Sequence, residues 1–274
     1  MSIGLAWREV GAIAAKEFRE RRRNRWIVAV AAVFAAFALL IAYFGAAQQG
    51  AVGFRGIQVT IASLTSLVIY LVPLIVLLLG YDAIAGERER GSLDLLLSLP
   101  VTRFELLLGK YLGLGAAFAA STLVGFGLAG AVLVWRAEPG ALLHYAAFVA
   151  SALLMGMAFL ALAVMVSVIA TDRTRASGAA IALWLFFVLV FDLLLLGALV
   201  LSGGRGVGEV VPYLLLLNPA DVFRVLNIFT MADVAVLYGL ATVVPPALAD
   251  PRLLGAVMAA WIVAPLGIAA WRFK

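Results

Sequence analysis

The 274-residue chain reads as an all-α membrane protein that crosses the bilayer six times. Composition points there first: 65% of residues are apolar by type, 13% are charged, and mean hydropathy is +1.12. Soluble domains run at roughly 45–50% apolar, with about a quarter charged. A folded soluble domain needs a polar skin that this chain cannot supply, which excludes a soluble enzyme, a secreted module and a disordered chain. Patterning points there next. The apolar runs are long and rich in Ala and Leu, without the roughly 10-residue alternation of an outer-membrane barrel. Six of them reach the length of about 20 residues that a helix needs to cross hydrocarbon.

Residues 1–26 form a basic tail. From Trp7 to Arg25 its single helix breaker is Gly11, and Trp7, Val10, Gly11, Ala14 and Phe18 share one helical face. Glu9, Lys16 and Glu20 lie on another face, which Ile13 interrupts. This predicts an amphipathic helix on the membrane surface with its basic end at the headgroups. The blander reading is a tail that only sets topology. Its charged lead is too long for a signal peptide, so the first span is expected to remain as an anchor.

Spans one and two occupy 27–81, at 27–47 and 57–81, and a polar segment covers 82–110. Spans three to five follow over 111–201, at 111–134, 144–170 and 176–201. Residues 252–274 hold span six and a short tail. Fifteen of the twenty Lys and Arg residues fall on the side of the two termini, in the first tail, the 82–110 segment, Arg173, Arg175, Arg272 and Lys274. The positive-inside rule therefore predicts cytoplasmic N and C termini. The stretch 202–251 is expected to be an extracytoplasmic loop with short helices. Its apolar run Val234–Ala249 is broken by Pro245 and Pro246, and a seventh span there would put Arg272 and Lys274 outside.

The most informative stretch is GERERGSLDLLLSLPVTRFELLLGK, residues 86–110. Gly91 is placed to stop a helix, Ser92 to cap the next one, and Asp94 to sit in its first turn, where the helix dipole favours negative charge. Pro100 ends that helix, read as 92–99. Thr102 and Glu105 have capping-box spacing, and Val101 can pack on Leu106 as a hydrophobic staple. A short helix carrying Leu93, Leu95, Leu96, Leu97 and Leu99 on a polar loop marks either a partner surface or a helix lying in the lipid interface.

This run, with Glu87, Arg90, Gly91, Ser92, Leu93, Asp94, Leu96, Leu97, Pro100 and Gly109–Lys110, resembles the segment between spans two and three of ABC-2 type permeases. The resemblance implies a coupling helix that docks on a cytoplasmic ABC ATPase dimer, which binds ATP and Mg. It also implies a permease that pairs with a second copy of itself in the bacterial inner membrane. GERERGSLDLLLSLPVTRFELLLGKYLG, LWLFFVLVFDLLLLG and LLLNPADVFRVLN are further similar to the permeases of the transporter that matures the copper centres of nitrous oxide reductase. That narrower likeness implies a sulfur- or copper-related cargo, or work on a periplasmic repeat protein. Export of a lipid, drug or glycan, and mechanical transmission without a cargo, are the alternative readings.

The chain carries no chemistry of its own that sequence can identify. Gly109–Lys110 is followed by Tyr111 and lacks the glycine-rich cradle of a P-loop, so an ATPase must come from another chain. There is no cysteine and one histidine, His144, and no cofactor is expected in this chain. Met155, Met157 and Met165 near His144 suggest a Cu(I) site or, more simply, packing. Nothing points to nucleic acid; membrane lipid is the expected surrounding.

Four further features complete the reading. Asp192 is the single acidic residue inside a predicted span, where a charge costs about 2.5–3.5 kcal/mol near the helix centre, so it must be protonated, paired or wet. Asn218 and Pro219 read as a helix start, with Asp221 and Arg224 three apart and able to pair. This stretch is either a contact for an extracytoplasmic partner or a lid packed on the bundle. Asp172 and Arg173, in a short loop, are a second candidate cytoplasmic contact. Gly113, Gly115, Gly125, Gly127 and Gly130 would permit close helix packing, consistent with a dimer.

Overall fold

A computed structural model describes residues 6–44, 57–134, 141–203, 207–228, 248 and 250–273. Among these the chain is helical throughout, without strands. Six helical stretches are long and apolar enough to cross a membrane: Trp26–Phe44, Thr60–Glu89, Arg103–Val132, Leu142–Ile169, Arg173–Leu201 and Pro251–Arg272. The run Val234–Ala249 lies outside the described residues except for Leu248.

Helix α1 (Trp7–Arg23) leads through a turn at Asn24 and Arg25 into α2 (Trp26–Phe44), the first span. The second span, α3 (Ile57–Gly80), carries Pro73 within it. Two short helices follow, α4 (Ala85–Glu89) and α5 (Ser92–Leu97). The third span, α6 (Arg103–Val134), begins eight residues before the predicted 111, because its capping box starts the helix well outside the apolar run. After α7 (Ala141–Ile169), span five divides into α8 (Arg173–Leu185), a π-helical turn at Phe186–Val190 and α9 (Phe191–Leu201). Helix α10 (Val207–Leu214), a 3-10 turn (Leu215–Leu217) and α11 (Pro219–Ile228) precede the last span, α12 (Pro251–Arg272).

The bundle is built around α7. Its span is 72% buried against 17% for span five, because α3, α6, α11 and α12 pack on it. An aromatic seam of Phe34, Phe126, Phe148 and Phe223 runs from α2 through α6 and α7 to α11, with ring centroids 5.1, 5.6 and 5.9 Å apart in turn. Aromatic pairs at such spacing each add about 0.5–1.5 kcal/mol beyond area burial. Met155 is buried in this core, and Met157 packs against Gly115.

Helix α6 receives two neighbours at close range. A Cβ at Gly113 would lie 2.6 Å from the Ala14 carbonyl oxygen of α1, and one at Gly125 would lie 2.6 Å from Phe34 Cβ of α2. Gly115 and Gly130 meet Met157 and Tyr145, while Gly127 has open space. Four of the five glycines thus serve contacts within one chain. The tail helix accordingly rests on protein: Val10 and Glu17 are buried and Ile13 faces Gly109, whereas Trp7 is 67% exposed. The packed face is therefore 10, 13, 14 and 17, rotated from the predicted one, and Ile13 belongs to it.

Both terminal segments meet the start of α6. The Ala6 amide donates to Glu105 Oε1 at 2.8 Å, and the Arg103 guanidinium sits 5.4 Å from the Phe273 ring centroid. Helices α1, α4 and α5, the 170–173 turn and the end of α12 therefore share one end of the bundle, the basic end. Helix α11 packs toward the other.

Candidate functional site

At the basic end the chain folds back on itself in two short steps. Gly91 adopts φ 71°, a left-handed conformation that glycine takes without steric cost, and it separates α4 from α5. Ser92 was expected to cap α5 but does not. Its hydroxyl donates to the Glu87 carbonyl at 3.2 Å and to Glu87 Oε2, because a nearby carboxylate outcompetes other partners for that proton. Helix α5 ends at Leu97, short of the expected 99, and Pro100 stands in a tight bend across which the Val101 amide donates to the Leu99 carbonyl at 2.7 Å. The capping box forms as its spacing predicts: the Glu105 amide donates to Thr102 Oγ1 at 3.2 Å, and the Thr102 amide to Glu105 Oε2 at 2.8 Å.

A buried ion triad braces this fold-back. Lys110 Nζ lies 2.7 Å from Glu17 Oε1 and 3.1 Å from Glu87 Oε1, with side-chain exposures of 3%, 5% and 10%. One lysine thereby ties α1, α4 and α6 together, and Arg90 adds a looser pair to Glu87 at 3.6 Å. Glu17 escaped the sequence reading, since nothing local distinguishes it from Glu9 or Glu20. Ser167 Oγ accepts the Ile84 and Ala85 amides at 2.9 and 3.0 Å, and Arg88 donates to the Val168 and Ala170 carbonyls at the end of α7.

The second candidate contact joins the same network. The Arg173 amide donates to Glu89 Oε2 at 3.0 Å, and its guanidinium lies 3.5 Å from Asp82, which Arg21 also approaches at 3.7 Å. Asp172 caps α8 by accepting the Arg175 amide at 2.8 Å. That amide, and the Thr171 hydroxyl, hold the Asp172 carboxyl below the usual carboxylate range.

What this frame presents outward is apolar. Leu93 is buried and Leu96 and Leu97 are half-buried, but Leu95 is 72% and Leu99 55% exposed, with Asp94 beside them in the open. Between α1 and α5 lies an apolar hollow of about 220 Å³, lined by Ile13, Leu96, Leu99, Pro100, Val101 and Leu106 with Glu9 and Ala12 at its edge.

The other polar candidates converge on a single cluster. Arg224 on α11 donates to Asp221 Oδ1 at 2.5 Å and to Asp192 Oδ2 on α9 at 2.9 Å. Asn218 accepts the Ala220 amide at 3.0 Å as the cap of α11, and its side-chain amide donates to Asp221 Oδ2 and to the Phe187 carbonyl, each at 2.8 Å. That carbonyl belongs to the π-helical turn of span five, where the i→i−4 ladder is interrupted. Asn227 adds a buried bond to Ser151 of α7. Asp192 is thus paired, and it stands 19 residues along the 29-residue span five, about 28 Å from its start and somewhat past its midpoint. Asn218, Pro219 and Asp221 are buried, so as placed they hold α11 to the bundle and offer no open face to a partner.

Six crossing helices, a separate helix before the first of them and a braced leucine helix between the second and third define a transporter permease of the ABC-2 class. The chain belongs to that family: the profile described as "ABC-2 family transporter protein" matches residues 11–274. Among curated relatives it is similar to a "Probable ABC transporter permease protein NosY" of Pseudomonas aeruginosa, 45% identical over 97% of this chain and 98% of the relative. A protein of the same name from Stutzerimonas stutzeri is 48% identical over 80% of this chain and 81% of its own length. The chain is an ABC transporter permease subunit of the NosY-like kind.

Proposed function

We propose that two copies of this permease, with both termini in the cytoplasm, work on a pair of ABC ATPases that grip α5, and that the assembly serves maturation of the copper centres of nitrous oxide reductase. The observation that carries the coupling role is the placement of Leu95 on α5 and Leu99 just beyond its end, both exposed at the basic end next to α4, which the ion triad ties to α1 and α6. An exposed leucine pair on a rigid mount suits a protein partner, because little side-chain freedom is left to lose on docking. The fifteen-to-five bias of Lys and Arg supports placing that end in the cytoplasm. ATP and Mg would be bound by the ATPase; Asp172 and Arg173 would serve as a lesser contact beside α5.

The maturation role rests on likeness to the NosY relatives and on the three stretches quoted above. A sulfur- or copper-related species, or force delivered to a periplasmic repeat protein, would be the output. ATP binding would shift the paired permeases between two packings, for which α5 offers contacts that differ between states.

The test is co-purification with the ATPase subunit, using Leu95→Arg combined with Leu99→Arg. Both side chains are exposed, so the fold is expected to survive while the complex and its ATP turnover are lost. An intact complex with unchanged turnover would remove the docking role from α5.

A further inference from the structure

On its outer side α1 carries a cup unrelated to the leucine helix. Lys16, Arg19, Arg22 and Arg23, with Glu20, line a hollow of about 520 Å³ opposite the packed face of Val10, Ala14 and Glu17. Four cations against one carboxylate leave an excess of positive charge. Lys16 approaches Glu17 and Glu20 only at 3.9 Å, and Arg19 Nε donates to the Ala15 carbonyl at 3.1 Å. Among the described residues no carboxylate forms an ion pair with Arg19, Arg22 or Arg23. Arg21, in their midst, turns the other way to Asp82.

Position says what anion would fit. Arg23 ends α1 and Trp26 begins the first span, so the Arg22–Arg23 end of the cup lies within about one helical turn of that span, where lipid headgroups are found, and Arg19 and Lys16 lie about two to three turns back along α1. The cup is also fixed in place, since α1 is held on α6 by Lys110–Glu17, by the Ala6–Glu105 bond and by the close approach at Gly113. Diffuse attraction to a negative surface needs none of this rigidity, whereas a discrete site does.

We propose that this cup is a binding site for one anionic phospholipid per chain, its phosphodiester held by the guanidinium groups of Arg19, Arg22 and Arg23. Guanidinium forks suit phosphate oxygens through paired hydrogen bonds, and each basic residue at a membrane surface contributes about 1 kcal/mol. Because α1 shares Lys110 with α4, occupancy of the cup would bear on the mount of the leucine helix.

The full-length protein in phosphatidylcholine nanodiscs containing a minor fraction of phosphatidylglycerol is released into native mass spectrometry, and retained lipids are counted. One phosphatidylglycerol per chain, with phosphatidylcholine lost, is expected. The triple variant Arg19→Gln, Arg22→Gln, Arg23→Gln should retain it about a hundredfold less well, and Arg22→Gln alone about fivefold less. The single change leaves most of the basic tail in place, so its result stands even if the triple variant inserts badly. Unchanged retention in Arg22→Gln, equal retention of phosphatidylcholine, or displacement of the lipid by inorganic phosphate at matching affinity would each overturn the site.

Discussion

Two ion clusters of the same make-up stand in this molecule, each with two carboxylates around one cation, and they live in different surroundings. At the basic end Lys110 is 3% exposed between Glu17 and Glu87, drawn from three helices. At the far end Arg224 and Asp192 are about one-third exposed, and only Asp221 of that cluster is fully buried. The comparison teaches that charge count alone does not set a cluster's role. A dry triad is fixed, because neither partner can leave without stranding a buried charge. Where two of the three charged groups stand partly at the bundle surface, they keep room to turn.

The largest expected difference is in stability. Lys110→Met strands two buried carboxylates and should cost about 3–5 kcal/mol, read as a lower midpoint of unfolding in detergent. Arg224→Met should cost clearly less, since it strands one fully buried carboxylate, Asp221, where Lys110→Met strands two. Equal losses would dissolve the distinction between the two ends.

A pH effect in the neutral range should appear at the far cluster. Burial pushes the Asp221 carboxyl from its ordinary 3.8 up to about 7 against the pull of Arg224, and the neighbouring Asp192 charge adds to the rise. Its folded pKa is thus raised, so its contribution to stability is complete below about pH 4 and is lost as pH rises through about 7. Amide-exchange protection of residues 219–228 should fall across that window, and Asp221→Asn should flatten the profile. A profile unaffected by that substitution would assign the titration elsewhere.

The smallest effect sharpens the contrast further. Asp192→Asn keeps an amide oxygen for Arg224 and leaves Asp221 as its counter-ion, so it should change stability least, by about 1 kcal/mol or less. A calorimetric loss as large as that of Lys110→Met would mean the far cluster is as dry as the near one in the membrane.

Much of the frame was legible in the sequence because its signals are local. Apolar run length gave six spans; Gly91, the Thr102–Glu105 box and Asn218 before Pro219 gave the helix boundaries; Asp221 and Arg224 were three apart and pair. What escaped depends on distant partners. Glu17 and Lys110 are 93 residues apart, and Asn218 reaches back 31 residues to the Phe187 carbonyl. Ser92 shows the same limit on a smaller scale, since a cap position was visible but the competing Glu87 carboxylate was not. The π-helical turn has no pattern in an unbroken apolar run, and the glycines of α6 gave close packing without saying which helix would approach.

That wide turn in span five amounts to one surplus residue. An unbroken α-helix through the same residues would carry everything after Val190 round by about 100°, and the wide turn absorbs that surplus and keeps the register. Without it Asp192 would swing off Arg224, though no charged side chain had been altered. The width of that turn is therefore as much a condition of the far cluster as its acids and its base, and a one-residue deletion that closes it to an α turn should be better tolerated than a one-residue deletion elsewhere in the span.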